Sequence, residues 1–104
     1  MADMEEFSKQ SGEAWTIAGD FSENMESTES IASHTVTCVD DNGEDATSTI
    51  LSDDAVRGQR VEVFVQDGSD AVTPYIITFR IVTNTTPAHK WELDVKMVIK
   101  EVGE

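Results

Sequence analysis

Two short stretches of acidic residues could bind calcium through their carboxylate oxygens. Residues 40–45 read DDNGED, and Asp53 and Asp54 follow a few residues later. Oxygen ligands of this kind are the ones that Ca²⁺ prefers. An EF-hand loop with Gly43 at its sixth position, however, would begin at Cys38, whose side chain supplies no oxygen. We therefore interpret DDNGED as a solvated hairpin turn and predict no metal site.

The single cysteine and a nearby histidine are further candidates for chemistry. Cys38 and His34 alternate with threonines on a segment with a strand pattern, so both side chains are expected to point towards the core. A reactive thiolate needs nearby positive charge or a histidine base, whereas acidic residues follow Cys38. We predict that Cys38 behaves as a small buried apolar side chain and that His34 lies at the rim of the core.

The sequence contains no recognisable Ser/His/Asp set, glycine-rich phosphate loop or pair of facing carboxylates. We therefore expect no catalytic residues, no cofactor and no enzyme activity. Trp15 and Trp91 could instead stack against sugar rings, which would make the protein a carbohydrate- or surface-binding module. At inward strand positions, tryptophans more often anchor a core, and this is the interpretation that we favour.

Two long alternating segments, Tyr75–Thr83 and Lys90–Ile99, must position these side chains because no other part of the chain is so rich in apolar residues. In both segments, apolar or aromatic residues occupy the odd positions. Strict alternation places one face of a strand in the core and the other face in water. We predict that the two segments pair as a hairpin. Phe79 is then expected opposite Val95, and Ile81 opposite Leu93.

Further segments with strand patterns are separated by turn signals. They are residues 14–21, Ile31–Val39, 46–51, 55–57 and 60–66. Asn42-Gly43 suits a tight turn with positive φ at both residues, which would join the second segment to the third. The predicted fold class is all-β: an antiparallel two-sheet immunoglobulin-like β-sandwich of six to seven strands. We expect a polar tail or short helix at 1–13, the sandwich at 14–101 and a C-terminal tail at 102–104.

The same alternation predicts the core. Its expected members are Trp15, Ile17, Val36, Val61, Val63, Tyr75, Ile77, Phe79, Ile81, Trp91, Leu93, Val95 and Met97. Ala32 is expected on the inward face of its strand as well, because it shares the parity of Val36.

The outward side of the long hairpin is a candidate partner-binding face. With the expected register, Arg80 faces Asp94 as an opposite-charge pair. Ile76 faces Val98, and Val82 lies farther along the same surface. Three apolar side chains would then lie among charges, although scattered surface residues are an equally acceptable explanation. The candidate face consists of Ile76, Arg80, Val82, Asp94 and Val98.

The charge of the chain limits its partners. The sequence has 21 acidic residues against 7 lysines and arginines, and its formal charge is −14 over 104 residues. This charge argues against nucleic acid, whose phosphates require basic residues, and against anionic membrane surfaces. Solubility is the simplest explanation. An acidic inhibitor or nucleic-acid mimic is a third hypothesis, which is weakened because the acids are spread over many segments.

The sequence also bears on the compartment. A single cysteine excludes an intramolecular disulfide, as is typical of proteins that fold in a reducing cytosol. The opening residues MADMEEFSKQ carry acids where a secretory signal carries bases. No run approaches the ~20 apolar residues of a membrane span. We expect one domain that is made and folded in the cytoplasm.

Several short motifs follow one another along the chain. They are Phe7-Ser8-Lys9, Trp15-Thr16-Ile17, Asp20-Phe21-Ser22, Met25, Glu29-Ser30-Ile31-Ala32-Ser33 and Tyr75-Ile76-Ile77-Thr78, with an alternating strand at the end. In order and spacing they resemble small phage-encoded Ig-like virion structural proteins, of the kind called fibre–tail adaptors or tail or head–tail structural proteins. The chain departs from that pattern at Phe21, where tryptophan is usual, at Gly19, and in a loop whose only glycine is Gly68.

This resemblance implies a function that needs no catalytic residues. It implies a non-enzymatic virion or tail-associated structural protein of a phage or prophage, acting through contacts with other phage structural proteins. It also implies assembly in the cytoplasm of the bacterial host and a final location in the virion. The lone cysteine agrees with this expectation.

Overall fold

The structure, a computed structural model, describes residues 5–101, which form seven strands and one helical turn. The elements are β1 (Glu5–Lys9), β2 (Trp15–Asp20), β3 (Ile31–Val39), α1 (Thr47–Ile50), β4 (Leu51–Arg57), β5 (Arg60–Val65), β6 (Tyr75–Thr83) and β7 (Lys90–Ile99). A four-stranded sheet has the order β1-β7-β6-β3, and a three-stranded sheet has the order β2-β5-β4. In the part of the chain that is described, no helix is long and apolar enough to cross a membrane.

These two sheets confirm a mostly β fold with seven strands. Strand β1 runs parallel to β7, whereas the other pairs are antiparallel, so the prediction of a wholly antiparallel sandwich is wrong at this edge. The immunoglobulin-like topology and the division of the chain into tails and sandwich stay predictions. Part of the expected tail or short helix forms β1, while residues 1–4 and 102–104 lie outside the described residues.

The long hairpin has the predicted strands but a different register. Strands β6 and β7 occupy the two alternating segments. Phe79 pairs with Leu93, so the predicted partner Val95 is wrong. Ile81 pairs with Trp91, so its predicted partner Leu93 is wrong as well. Both shifts are by two residues along β7, which keeps every side chain on its predicted face.

The turn of this hairpin explains the shift in register. The Thr83 N–H donates to the His89 carbonyl oxygen, and the His89 N–H donates to Thr83 Oγ1, both at 2.9 Å. The Thr83 hydroxyl thus accepts the hydrogen bond that a backbone carbonyl would otherwise accept. The pairing of the two strands therefore extends to Thr83 and His89 at the loop. Strand alternation contains no information on such a bond, so it could predict the parity of the pairing but not the partners.

The core lies between the sheets. Every core residue that the alternation predicted is either buried or packed against the buried cluster. The prediction missed the buried residues Met25, Ile50 and Leu51, because they lie in or beside irregular segments where no alternation is visible. Ala32 is exposed, so its inward assignment is wrong. A β-bulge at this end of β3 shifts the pairing there.

The DDNGED segment turns the chain but does not close the predicted hairpin. Strand β3 pairs with β6 and β4 pairs with β5, so the segment leads from one sheet to the other. The strand predicted directly after it is wrong, because α1 lies there. The Cys38 N–H donates to Thr47 Oγ1 at 2.9 Å. A side chain of α1 thus occupies the position where a returning strand would pair with β3. Gly43 has a φ of 79° but Asn42 does not have positive φ, so the predicted turn type is wrong.

Strand β1 is anchored at its last residue. Lys9 is 2% exposed, and its Nζ donates to the carbonyl oxygens of Gln10 and Glu13, both at 2.8 Å. Phe7 packs against Trp15 with ring centroids 5.9 Å apart. Because Phe7 is the only apolar residue in this strand, alternation could not reveal it in the sequence.

Candidate partner-binding face

The five residues of the predicted face lie on one side of the four-stranded sheet. They occupy even positions of β6 and β7, whereas the odd positions of these strands face the core. Arg80 and Asp94 are exposed, and the three apolar side chains, Ile76, Val82 and Val98, are half-buried. We use the term outer face for the outward side chains of β1, β7, β6 and β3.

The polar contacts on the outer face differ from the prediction because the register differs. Arg80 Nε donates to Glu92 Oε1 at 2.9 Å, so the predicted pair of Arg80 with Asp94 is wrong. Asp94 Oδ1 instead accepts a hydrogen bond of 2.7 Å from Thr78 Oγ1. Each of the two predicted charged residues therefore has a partner within the face itself.

The apolar side chains of the outer face also have other neighbours than predicted. Ile76 pairs with Lys96, so the predicted partner Val98 is wrong. Val82 pairs with Lys90. The methylene stems of lysines cover apolar surface while their ammonium groups remain in water. The apolar part of this face is therefore wider than the three predicted side chains.

Charge on the outer face is balanced, unlike that of the whole chain. Its charged side chains are the cations Arg80, Lys90 and Lys96 and the acids Glu6, Glu92 and Asp94. Three positive and three negative charges sum to zero, whereas the chain as a whole carries −14. The charges of this face itself therefore do not repel another acidic protein.

A groove of about 320 Å³ crosses one end of the four-stranded sheet. It is lined by residues 33–35 of β3, 80–82 of β6 and 90–92 of β7. Because no described residue of the other sheet lines it, we assign it to the outer face. The groove thus contains two of the predicted residues, Arg80 and Val82.

The histidine and the cysteine lie where the alternation predicted. His34 Nε2 is 2.6 Å from Asp54 Oδ2 of β4, and the histidine side chain is 24% exposed, so it lies at the rim of the core and connects the two sheets. Cys38 is fully buried. Burial, with smaller contributions from Asp45 and Asp40, raises the pKa of the Cys38 thiol to about 12. The thiol is therefore not a nucleophile near neutral pH.

Comparison with known protein families decides the classification. Residues 9–96 match the family described as Podophage GP4 fiber-tail adaptor protein gp77. The chain belongs to this family. The match confirms the resemblance that the sequence motifs indicated, and it covers strands β2 to β6 and most of β7. No curated protein matches the chain.

Membership in the fiber–tail adaptor family has direct consequences. The family is a structural component of the phage tail, so the chain is a virion tail component. A structural family of this kind implies a non-enzymatic role.

The two tryptophans of this adaptor do not form one platform. Trp15 lies in the three-stranded sheet and Trp91 in the four-stranded sheet. Phe7, which packs against Trp15, pairs with Met97 of β7, six residues from Trp91. At ~3.3 Å per residue, this separation is about 20 Å. The indole N–H of Trp91 is also buried and has no hydrogen-bond partner within residues 5–101, so neither geometry nor polarity favours the carbohydrate-binding alternative.

Two carboxylates of the DDNGED turn, those of Asp40 and Asp45, accept hydrogen bonds from groups in or next to the turn. Asp40 Oδ1 accepts hydrogen bonds from the N–H groups of Asn42 and Glu44 at 2.9 and 3.0 Å. The Thr47 hydroxyl, 2.6 Å from Asp45 Oδ1, lowers the pKa of Asp45. Within residues 5–101, no group of three or more acidic, histidine or cysteine residues is arranged to hold a metal ion. That the adaptor binds no metal stays a prediction.

Proposed function

We propose that this adaptor joins other phage structural proteins in the tail through protein–protein contacts, and that its outer face meets one of them. The observation that carries the proposal is the balanced charge of a face that also bears apolar side chains, on a chain with a net charge of −14. Solubility alone would favour an outer face as acidic as the rest of the chain.

Burial of the apolar side chains would supply the affinity of this contact. Ile76, Val82 and Val98 are half-buried, and removal of their remaining apolar area from water contributes about 25 cal/mol per Å². The charged residues around them add little free energy as exposed pairs. They instead select the partner and its orientation, because like charges that meet across an interface are strongly unfavourable. The groove beside Arg80 and Val82 would accept a protruding side chain of the partner.

We further propose that the adaptor folds in the cytoplasm of the host and then enters the virion, and that its gene belongs to a phage or a prophage. The buried, unpaired Cys38 supports folding in a reducing compartment. A carbohydrate- or surface-binding role is less well supported, because the two tryptophans are far apart and Trp91 does not present its N–H group.

Mass spectrometry of purified particles, combined with binding assays against the other structural proteins of the same phage, tests this function. We expect the chain in the particles and binding to at least one of those proteins. Consistent absence from particles, together with no binding to any structural protein of that phage, would contradict the proposal.

A further inference from the structure

The edge strands of the two sheets differ in how well they are protected against the addition of another strand. An exposed edge presents unpaired N–H and C=O groups, which can bind an extended segment of another chain. The edges are β1 and β3 in the four-stranded sheet, and β2 and β4 in the three-stranded sheet. Charges, bulges and covering contacts are the usual means of protection.

Strand β4 is protected by an irregular backbone. Its pairing with β5 shifts between Ser52 and Ala55, and Asp53 in this bulge has a φ of 53°. An added strand would meet neither a straight backbone nor a regular row of donors and acceptors there. The two adjacent acidic side chains, Asp53 and Asp54, are exposed and oppose pairing further.

Strand β3 is protected by contacts along its open side. The Cys38 N–H is bound by Thr47 Oγ1, and the Cys38 carbonyl accepts a hydrogen bond from the Ala46 N–H. His34 binds Asp54 of β4 across the gap between the sheets. A bulge interrupts the start of the strand. Only a short central part of this edge remains available.

In the part of the chain that the structure describes, strand β2 has no bulge and no covering contact, and its one charged residue, Asp20, is the last of the strand. The Phe21 N–H donates to the carbonyl oxygen of Gln59, on the side of β5, at 3.0 Å. Backbone groups of an antiparallel pair alternate in direction, so Thr16 and Ala18 direct their N–H and C=O groups to the open side. Both residues are exposed. Within residues 5–101, no hydrogen bond to these four groups is found.

Strand β1 lies on the same side of the molecule, because Phe7 packs against Trp15. It is one residue shorter than β2 and begins with Glu5 and Glu6, both exposed. Charged side chains on a short edge strand oppose the addition of another strand. In β2 the outward residues Thr16 and Ala18 are small and uncharged, so β2 is the better acceptor of the two.

The inner side of the β2 edge favours apolar side chains. Trp15 and Ile17 point towards the core but are only half-buried. Side chains at alternate positions of an added strand would lie beside them and complete their burial. The added strand should therefore have small or apolar residues at every second position.

The charge around this edge favours a basic partner. Glu13 precedes β2, and Asp20 ends it, and both are exposed. No lysine or arginine occurs between them. The nearest basic residue in the sequence, Lys9, has its ammonium group bound to backbone carbonyl oxygens. Arg60 lies opposite Asp20 in the pairing of β2 with β5, so Asp20 already has a cation beside it. A lysine or arginine of the added strand would therefore be best placed near Glu13.

We propose that the β2 edge accepts an extended segment of another protein as an additional strand. The segment has alternating apolar side chains beside Trp15 and Ile17 and a basic residue near Glu13. A second copy of the chain fits less well, because each copy carries −14 and offers no basic residue in β2. The β2 edge belongs to a different sheet from the outer face, so this inference goes beyond the proposed function and does not depend on it.

A short synthetic peptide of alternating lysine and valine is a suitable probe. We expect it to bind, and we expect a peptide of the same composition with its lysines and valines in separate blocks to bind at least about tenfold more weakly. Only the alternating peptide can place all of its valines on one face. Absence of binding at millimolar peptide, or equal binding of both peptides, would overturn the proposal.

Amide hydrogen exchange measured by NMR locates the contact on the unaltered protein. The N–H groups of Thr16 and Ala18 should exchange rapidly in the free protein and slowly with the alternating peptide, whereas that of Ile17 should be slow in both. New protection at Glu6 and Ser8 instead would assign the peptide to β1 and overturn the proposal. Dimerisation through β2 without peptide would show that a second copy is the occupant and would overturn it as well.

A pair of variants at Ala18 tests the backbone contact itself. Ala18→Pro removes the N–H that points to the open side, a position where edge strands accept proline, and should weaken binding of the alternating peptide at least about tenfold. Ala18→Thr keeps the N–H and should bind as the unaltered protein does. Equal affinity of Ala18→Pro and the unaltered protein would overturn the proposal. If Ala18→Pro does not fold, the exchange measurement decides.

Discussion

Gly19 lies directly against the aromatic ring of Phe79. A Cβ atom at Gly19 would be 2.7 Å from Phe79 Cγ, which is closer than a real Cβ approaches another atom. Glycine in a strand usually weakens it, but here it lets β2 of one sheet approach the ring of β6 in the other. The space that a side chain would fill in β2 is occupied by Phe79.

Gly19→Ala should lower the free energy of unfolding by about 1–3 kcal/mol, because the added methyl group overpacks the core against a fully buried ring. Urea denaturation measures this change. Gly12→Ala is the matched control, since a Cβ there meets no atom within 4 Å. It should have little effect or stabilise by up to ~1 kcal/mol through the unfolded state. Equal effects of the two substitutions would contradict the close contact.

Phe79→Ala should cost about 3–5 kcal/mol, a large part of the stability of a small domain. In this background, Gly19→Ala should cost less than in the unaltered protein, because the ring that the methyl group meets has been removed. A double-mutant cycle by urea denaturation measures this coupling. A loss below about 1 kcal/mol for Phe79→Ala, or additive effects of the two substitutions, would contradict the packing described.

The parts of the fold that the sequence predicted are those that depend on alternation alone. Strands β6 and β7 have strict period-two patterns, so their bounds, inward faces and core residues followed directly. Their register did not, because it depends on the bond between Thr83 Oγ1 and the His89 N–H in the turn. The parallel strand β1 has one apolar residue, Phe7, and its pairing with β7 joins two distant parts of the chain.

The candidate face was predictable to the same extent. Parity placed Ile76 and Val82 on the outward side, but their neighbours Lys96 and Lys90 required the register. The edge of β2 could not be recognised from the sequence. Its open side follows from the direction of a single hydrogen bond at Phe21 and from protection of the other edges, neither of which has a local sequence signal.

Cys38 should not react with thiol reagents in the folded protein. The side chain is fully buried, and burial raises its pKa to about 12, so the thiolate is scarce at neutral or mildly basic pH. Alkylation followed by mass spectrometry should show labelling only as fast as the protein unfolds. The same reaction in urea is the control and should be complete. Rapid labelling under native conditions would contradict the burial of this thiol.

Glu29 should contribute stability that is lost in acid. Its side chain is 6% exposed and accepts a 3.0 Å hydrogen bond from the Glu26 N–H, with His89 Nδ1 at 3.2 Å. The hydrogen bond from Glu26, with a smaller contribution from His89, lowers the pKa of Glu29 below 4.5. The unfolded state therefore binds a proton first as the pH falls. The contribution is complete above ~pH 4.5 and disappears as the pH falls through the folded-state pKa.

Glu29→Gln should accordingly reduce the free energy of unfolding at neutral pH more than at ~pH 3, because the contribution of the carboxylate declines once the pH falls below its unfolded-state pKa of about 4.5. Urea denaturation at both pH values measures the two differences. Glu23→Gln replaces an exposed acid in the same loop and should have little effect on the free energy of unfolding. A difference for Glu29→Gln that is the same at both pH values would contradict the role of its carboxylate.

Ile76→Glu combined with Val98→Lys should abolish binding of the tail partner to the outer face. Each substitution places a charge where the partner would bury an apolar side chain, and burial of an unpaired charge is strongly unfavourable. The new glutamate faces Lys96, the net charge is unchanged, and both sites are on the outside of the sheet. The free energy of unfolding should therefore change by less than about 1 kcal/mol, while binding weakens at least about tenfold in a titration.

Ser48→Lys combined with Thr49→Glu is the matched control for this double variant. It introduces the same pair of charges at two exposed positions of α1, away from the outer face. Binding of the partner should be unchanged, because neither residue belongs to the four-stranded sheet. If the outer-face variant binds as tightly as this control, the partner contacts another surface, since both variants have the same net charge.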